Sequence, residues 1–418
     1  MKELWRGVGW VSASQIYGTL ASLVSLSVTA RWLGPEGRGI IAAVTTWVTF
    51  ASSVAGMSLG PVALHLATKR RGEEWLPSVL GSLLSLCACL TLVTWLSVLF
   101  LYHVSGGRVF HVQSPLLLII GFANLPFLIW EQYSSALLGA VERVDVYSQA
   151  LVVGRTVTLL AILLAWGVGG GIPAVLVGVA AGQAVLALTT LRLLSRAAQR
   201  SVRGSPETAA QLMKGALRLH PNFIGGVLAT SSGVLVVNHF LGGRETGLYQ
   251  LAVQLVGLFG ILPQAAALVL SGRVATLGPD GAWTSQRRMV PAIMGILLLG
   301  GGLAAILSPW GITMIAGERF APASTVFRIL LLSMLGSALA TLTLPQWVGR
   351  GRFLTISVLS LALGLASLGG NLIVVPMSGI VGAAWVTVGV YAGAALVSAW
   401  MCGLCEAQWR QVGSRSAV

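Results

Sequence analysis

Long apolar segments alternate with short polar connectors along the whole chain. A helix needs about 20 mostly apolar residues to cross the hydrocarbon core of a bilayer. Segments of that length recur from one end of the sequence to the other. They predict twelve membrane-spanning helices, at 8–30, 40–66, 76–102, 115–140, 148–168, 172–194, 219–241, 247–271, 289–308, 322–347, 353–374 and 379–403.

Charge is scarce, and this sets the class of protein. Only 9% of the 418 residues are charged and 56% are hydrophobic, whereas soluble domains carry about 25% charged residues. The composition predicts an all-α polytopic membrane protein. The net charge of +14 lies in short clusters between apolar segments, and no basic soluble domain is present, so we expect no nucleic-acid partner.

The placement of Lys and Arg predicts the orientation of the chain. With a cytoplasmic N-terminus and twelve alternating spans, most basic residues fall in cytoplasmic connectors. The external connectors then contain only Arg31, Arg38, Arg108, Arg244 and Arg319. Both termini are therefore expected in the cytoplasm.

The longest connector separates two regions of six spans. We expect an N-terminal six-helix bundle at 1–194, a cytoplasmic linker at 195–218 and a C-terminal six-helix bundle at 219–418. Ser205-Pro206-Glu207 is typical of a helix start. The segment after it predicts a short amphipathic helix lying on the cytoplasmic surface, with an apolar face made of Leu212, Met213, Ala216 and Leu217. A plain linker is the alternative.

The two regions resemble each other in sequence. Four pairs of matching positions are separated by 208 to 210 residues: Gly34 and Gly242, Gly171 and Gly379, Gly107 and Gly317, and Arg143 and Arg352. Because six is an even number, both halves have the same orientation. The sequence therefore predicts two parallel six-helix repeats around a central cavity that opens to each side in turn.

Several motifs mark a resemblance to a known family. The sequences ARWLGPEGRG at 30–39, NHFLGGRETGLYQLAVQL at 238–255, GERFAPASTVFRILLL at 317–332 and PMSGIVGAAW at 376–385 resemble the polysaccharide flippases of the multidrug/oligosaccharidyl-lipid/polysaccharide exporter superfamily. The resemblance covers nearly the whole chain. Lipid II flippases of that superfamily carry arginines in the first helix, whereas nothing between Arg6 and Arg31 is charged here.

The resemblance implies a fold and a function. The fold would be that of the multidrug exporters and flippases of the superfamily. The function would be translocation of an undecaprenyl-diphosphate-linked oligosaccharide across the bacterial plasma membrane, for surface polysaccharide biosynthesis. The partners implied are this substrate, membrane lipids, a polysaccharide polymerase and glycosyltransferases.

Three charged residues inside predicted spans are candidates for the site. A charge in the bilayer interior costs at least about 2.5–3.5 kcal/mol. Arg155 and Arg328 can bind a diphosphate, because guanidinium groups match phosphate oxygens in a bidentate way. Glu131 can take a proton or a coupling cation. The alternatives are that both arginines extend to the membrane interfaces and that Glu131 pairs with a neighbouring helix.

Polar uncharged residues in the spans are weaker candidates for substrate-binding residues than the three charged ones. Amides and imidazoles that face a wet cavity suit sugar hydroxyls, whereas hydrogen bonding between helices is the alternative. The candidates are Gln15, Asn124, His220, Asn222, Gln250 and Gln254.

Enzyme function is not expected. The sequence has no GxSxG, HExxH or Walker A motif, and Cys402 and Cys405 have no second pair to complete a zinc site. We therefore expect no catalytic residue, no metal and no cofactor. Two other functions stay open: a cation-coupled exporter of drugs or small amphiphiles, and a scaffold for polysaccharide assembly enzymes.

Overall fold

The structure is a computed structural model, and it describes residues 2–69, 75–112, 114–141, 143–198 and 202–415. All regular structure in these residues is helical. The α-helices are α1 Lys2–Ala55, α2 Leu59–Lys69, α3 Leu76–Ser105, α4 Pro115–Ala123, α5 Leu125–Ala140, α6 Val144–Gly167, α7 Gly171–Ala197, α8 Pro206–Leu241, α9 Gly243–Gly257, α10 Ile261–Ala316, α11 Ala323–Gly349 and α12 Phe353–Arg415. Short 3₁₀ turns occupy Leu258–Gly260 and Glu318–Phe320.

Three of the longest helices are broken at a glycine. Gly34 in α1 has φ 67° and ψ −175°, Gly278 in α10 has φ 72° and ψ 169°, and Gly379 in α12 has φ 62° and ψ −151°. Only glycine adopts such left-handed backbone without steric cost. Pro35 and Pro279 follow the first two breaks, where the missing N–H of proline suits the first turn of a new helix.

Ten stretches among the described residues are long and apolar enough to cross a membrane. Two of them, Ser14–Leu66 and Phe353–Ala407, each contain two predicted spans and one of the broken positions. Each of the other eight stretches contains one predicted span. The chain is therefore an all-helical, multi-pass membrane protein, while the number twelve stays a prediction.

The chain forms two compact units. The first comprises Met1–Val227 with Gly242–Arg244, and the second comprises Leu228–Leu241 with Glu245–Val418. The boundary lies inside α8, after the segment 195–218 that the sequence predicts as the linker.

The backbone agrees with the predicted repeat at three aligned pairs of glycines. The φ angles are 67° and 80° at Gly34 and Gly242, 68° and 62° at Gly171 and Gly379, and 76° and 92° at Gly107 and Gly317. Each pair thus places the same unusual conformation at the same point of its half. The arrangement of six-helix repeats around a cavity remains a prediction.

The start of α8 packs against protein. α8 begins at Pro206, and the Thr208 N–H donates a hydrogen bond of 3.4 Å to Ser205 Oγ. Leu212 and Ala216 are completely buried in the apolar core of the first unit. Leu217 is 63% exposed, and a Cβ added at Gly215 would lie 2.6 Å from Val62 on α2. Only part of the predicted apolar face thus packs against protein, and the place of this helix on the cytoplasmic surface stays a prediction.

A buried polar network joins α10 to α11 in the second unit. Gln286 and Gln346 are both fully buried, and Gln346 Nε2 donates to Gln286 Oε1 at 2.8 Å and to the Pro279 carbonyl at 3.1 Å. Arg350 donates to Gln346 Oε1 and, at 2.6 Å, to Asp280 Oδ1. These bonds fix the new helix that begins after the Gly278 break.

Candidate functional site

The first unit contains a polar cluster around Glu131 on α5. The Glu131 side chain is half-buried, and its two oxygens accept hydrogen bonds from different helices. Gln183 Nε2 on α7 donates to Oε2, and the Tyr147 hydroxyl on α6 donates to Oε1 at 3.4 Å. The charge that the sequence places inside a span is thus stabilised by two donors rather than by a cation.

Packing of α5, α6 and α7 brings these groups together. Trp130 Nε1, next to Glu131, donates to Thr190 Oγ1 on α7 at 3.1 Å. α6 and α7 approach closely at two glycines, since a Cβ added at Gly154 would lie 2.9 Å from the carbonyl oxygen of Gly182. Small residues allow such close contact between helices in a membrane, and Gln183 follows Gly182 directly.

Arg155 lies on the same helix as Tyr147, about two turns later. Its side chain is exposed, and its charge interacts electrostatically with the Tyr147 hydroxyl, as does the charge of Glu131. The Arg155 stem passes α1 at Gly18, where an added Cβ would lie 3.8 Å from Arg155 Cγ. The charges of Glu131 and Arg155 thus both act on one phenol.

Contacts between α1 and α6 hold the stem of Arg155 in place. The hydroxyls of Tyr17 and Thr156, which flank Gly18 and Arg155 in sequence, are 2.6 Å apart and share a hydrogen bond. Gln15 lies three residues before Gly18 and has an exposed side chain, so it shares the face of α1 that Arg155 passes.

The other predicted residues of the first unit lie outside this cluster. Asn124 is buried at the junction of α4 and α5, about two turns before Glu131, and its Oδ1 has no hydrogen-bond partner among the described residues. His220 on α8 is buried, and its Nδ1 has no hydrogen-bond partner among the described residues. Asn222 is exposed.

Three predicted residues belong to the second unit. Arg328 is exposed on α11, and its Nε donates to the Ala305 carbonyl and to Ser308 Oγ of α10, both at 3.0 Å. Gln250 is half-buried on α9, and its Oε1 has no hydrogen-bond partner among the described residues. Gln254 is exposed. Arg328 therefore contributes to the contact between two helices.

The sequence reasoning missed Gln183, Tyr147, Tyr17 and Thr156. Gln183 is an amide inside the predicted span 172–194, and that position alone was a usable signal. Tyr147 lies next to the start of a predicted span, where tyrosine is common. Among the described residues, no group of three or more His, Cys, Asp or Glu could hold a metal ion.

The family of the chain follows from its sequence over residues 4–269. This segment, which is more than half of the chain, matches the family described as polysaccharide biosynthesis protein. The chain belongs to the polysaccharide biosynthesis protein family. No curated protein matches the sequence.

The fold of this chain is similar to that of several solved structures. The lipid II flippase MurJ in an inward closed conformation is 12% identical over 93% of this chain and 86% of that chain, with a TM-score of 0.77. An inward-facing multidrug resistance MATE family transporter of the MOP superfamily is 13% identical over 95% and 96% of the two chains, with a TM-score of 0.73. A MOP superfamily transporter from Pyrococcus furiosus is 13% identical over 97% and 95%, with a TM-score of 0.65.

These similarities show that the chain has the fold shared by these transporters and by MurJ. At 12–13% identity, the solved structures are evidence for the fold alone.

Proposed function

We propose that this protein is a flippase for a lipid-linked oligosaccharide. It moves an undecaprenyl-diphosphate-linked glycan from the inner to the outer leaflet of the bacterial plasma membrane by alternating access. Membership of the polysaccharide biosynthesis family and the fold shared with MurJ support this proposal. The translocated glycan is then a substrate for a polymerase, and glycosyltransferases supply it.

The observation that carries the proposal is the exposed guanidinium of Arg155 within a span. Asp145–Gly167 is long and apolar enough to cross the membrane, and Arg155 lies near its middle. Glu131 is bound by Gln183 and Tyr147, and no ion pair joins it to Arg155 among the described residues. The guanidinium is therefore available to an anionic head group, which it can bind in a bidentate way.

Glu131 supplies the second part of the mechanism. The ionised carboxylate accepts both hydrogen bonds as an acceptor-only group, and its charge strengthens them. Protonation or cation binding at Glu131 weakens the bonds to Gln183 and Tyr147, and the charge of Arg155 also acts on the Tyr147 hydroxyl. We propose that this change couples an ion gradient to release of the diphosphate from Arg155.

The remaining predicted residues are assigned different contacts with the substrate in this proposal. Gln15 shares the face of α1 that the Arg155 stem passes and can bind the sugar next to the diphosphate. Arg328 uses only its Nε in the contacts with α10. Its two other guanidinium nitrogens can bind a second anionic group. Asn124, Asn222, Gln250 and Gln254 are amides for sugar hydroxyls, and His220 is a further hydrogen-bonding candidate.

Cation-coupled export of small amphiphiles is the second candidate function. The observation that favours it is the intramembrane acid Glu131 together with a fold shared with a multidrug resistance transporter. Drug resistance that depends on the chain, with normal surface glycan in its absence, is the result expected of an exporter.

The flippase proposal is tested in a deletion strain by measuring lipid-linked glycan in each leaflet. We expect the glycan to accumulate in the inner leaflet and surface glycan to be lost. The native chain restores export, whereas Arg155→Ala lowers it about tenfold or more, the effect of losing one charge-assisted contact. Arg319→Ala is the matched control, because Arg319 is an exposed arginine in a connector.

Chain abundance in the membrane is measured for each variant. Normal surface glycan in the deletion strain would contradict the proposed function. Full export by Arg155→Ala would show that Arg155 does not bind the substrate, and it would not contradict the proposed flippase function.

A further inference from the structure

The second unit holds a cavity of about 420 Å³ that the polar cluster around Glu131 does not share. Its lining comes from α8, α9, the start of α10, α11 and α12. Pockets that bind small ligands have volumes of about 300–1,000 Å³. The cavity is thus large enough for a small organic ligand and much larger than a bare ion.

The lining combines apolar surface with uncharged polar groups. Ser333, Ser337 and Thr341 reach the cavity from α11, and Thr387 and Tyr391 reach it from α12. No Asp, Glu, Lys, Arg or His is among the described residues that line it. Uncharged hydroxyls that converge on one cavity in a membrane protein favour a ligand with hydroxyl groups of its own.

Four hydroxyls of the lining can act as acceptors toward the cavity. Each of these four donates its single hydrogen to a carbonyl one turn earlier in its own helix, at 2.6 Å for Ser333, 3.0 Å for Ser337, 2.8 Å for Thr341 and 3.0 Å for Thr387. The lone pairs that remain on each oxygen can accept from a ligand, and the amide of Gln264, which also lines the cavity, can both donate and accept. These groups suit a ligand that carries several hydroxyls.

Two tyrosines add flat apolar faces beside these acceptors. The Tyr249 hydroxyl is fixed by a hydrogen bond of 3.1 Å to Thr387 Oγ1. Gly233 leaves room for this ring, since a Cβ there would lie 2.6 Å from the Tyr249 hydroxyl. Tyr391 also lines the cavity, and Gly336 lets α11 contact its backbone directly. A sugar ring has polar edges and apolar C–H faces, and the cavity offers a partner to both.

We propose that this cavity binds an uncharged sugar unit of the translocated glycan and excludes its diphosphate. A lining without a cation does not compensate the charge of phosphate oxygens, and a lining without a carboxylate does not compensate the charge of a cationic drug. The inference rests on the proposed flippase function and adds to it a place for the neutral part of the substrate.

The test measures how sugars protect a cysteine in the cavity. The full chain carries Ser337→Cys, with Cys87, Cys89, Cys402 and Cys405 replaced by alanine, and is reconstituted into lipid nanodiscs. The rate of modification by a small maleimide is measured with glucose, galactose, rhamnose or N-acetylglucosamine, and with inorganic diphosphate. Ser97→Cys is the control, because Ser97 is exposed on α3 and makes the same kind of bond to its own helix.

We expect at least one neutral sugar to slow modification of Ser337→Cys saturably. Diphosphate should have no effect, and no probe should change the rate at Ser97→Cys. Adding Tyr391→Phe should raise the sugar concentration for half protection by up to about tenfold, since it removes one hydroxyl from the lining. Thr341→Cys, one turn along α11, is a second reporter if Ser337→Cys does not fold.

Two results would overturn the inference: protection by diphosphate equal to that by the sugars, or no protection by any sugar at both reporters. Its failure is distinguishable from failure of the flippase function. Trapped glycan in the deletion strain without sugar protection would refute the cavity alone, whereas normal surface glycan there would refute the function itself.

Discussion

At the scale of single residues, the first unit contains an acid and a base that both act on one tyrosine. Glu131 is bound by Gln183 and Tyr147, and the charge of Arg155 also acts on Tyr147. Hydrogen bonds to an ionised carboxylate are stronger than those to a neutral carboxyl group. Under the proposed mechanism, a proton or cation at Glu131 therefore changes the surroundings of Arg155 through Tyr147.

Replacing Glu131 by glutamine should uncouple transport from the ion gradient. Glu131→Gln keeps the size of the side chain but cannot titrate. We expect glycan translocation in proteoliposomes to become insensitive to an imposed proton or sodium gradient. Glu318→Gln is the control, because it removes the charge of an exposed acid in a connector and keeps Glu131. Gradient-driven translocation by Glu131→Gln would contradict the role of this acid.

At the scale of helices, buried amides decide how α10 and α11 pack. Gln346 and Gln286 have no exposed surface, and together they bind each other, Arg350 and the backbone at Pro279. A buried polar group that loses its partner costs about 1–3 kcal/mol. Replacing one of the two glutamines should therefore destabilise the packing of α10 against α11, whereas replacing both should destabilise it less.

Gln346→Leu should lower the thermal stability of the purified chain, by about 1–3 kcal/mol for each buried partner left without a bond. The double variant Gln286→Leu with Gln346→Leu should recover part of this loss, because both partners of the central bond become apolar. Melting in detergent measures both effects. Gln211→Leu at an exposed position of α8 is the control, and additive losses in the double variant would contradict the network.

At the scale of the whole molecule, the predicted orientation is directly measurable. The distribution of Lys and Arg predicts that both termini are cytoplasmic. Reporter fusions at residue 1 and at residue 418 should both give a cytoplasmic signal. An external C-terminus would mean an odd number of spans, and the two halves could then not have the same orientation.

Much of the fold was predictable because apolar length and glycine carry local information. The segments read as spans coincide with helical stretches, and Gly34 and Gly379 break helices where the sequence shows a turn. Contacts between helices were not predictable. Glu131 meets Gln183 from 52 residues away, and Leu212 lies against protein rather than lipid, because these outcomes depend on which faces pack together.

The cavity of the second unit could not be predicted from the sequence for a similar reason. Ser333, Ser337 and Thr387 each look like ordinary small residues of a membrane helix, where a hydroxyl bonded to its own backbone is common. Only their convergence from different helices distinguishes them. Arg155 and Glu131 were visible because a charge inside a span is rare.

The hydrogen-bond donor to Glu131 has a counterpart in the other half of the chain. Gln183 and Tyr391 are separated by 208 residues, the same interval that relates Gly34 to Gly242. The predicted repeat thus aligns a residue of the charged cluster in the first unit with a residue of the uncharged cavity in the second. Under that alignment, one position has different chemistry in the two halves, so a substitution in either unit can alter one kind of contact without altering the other.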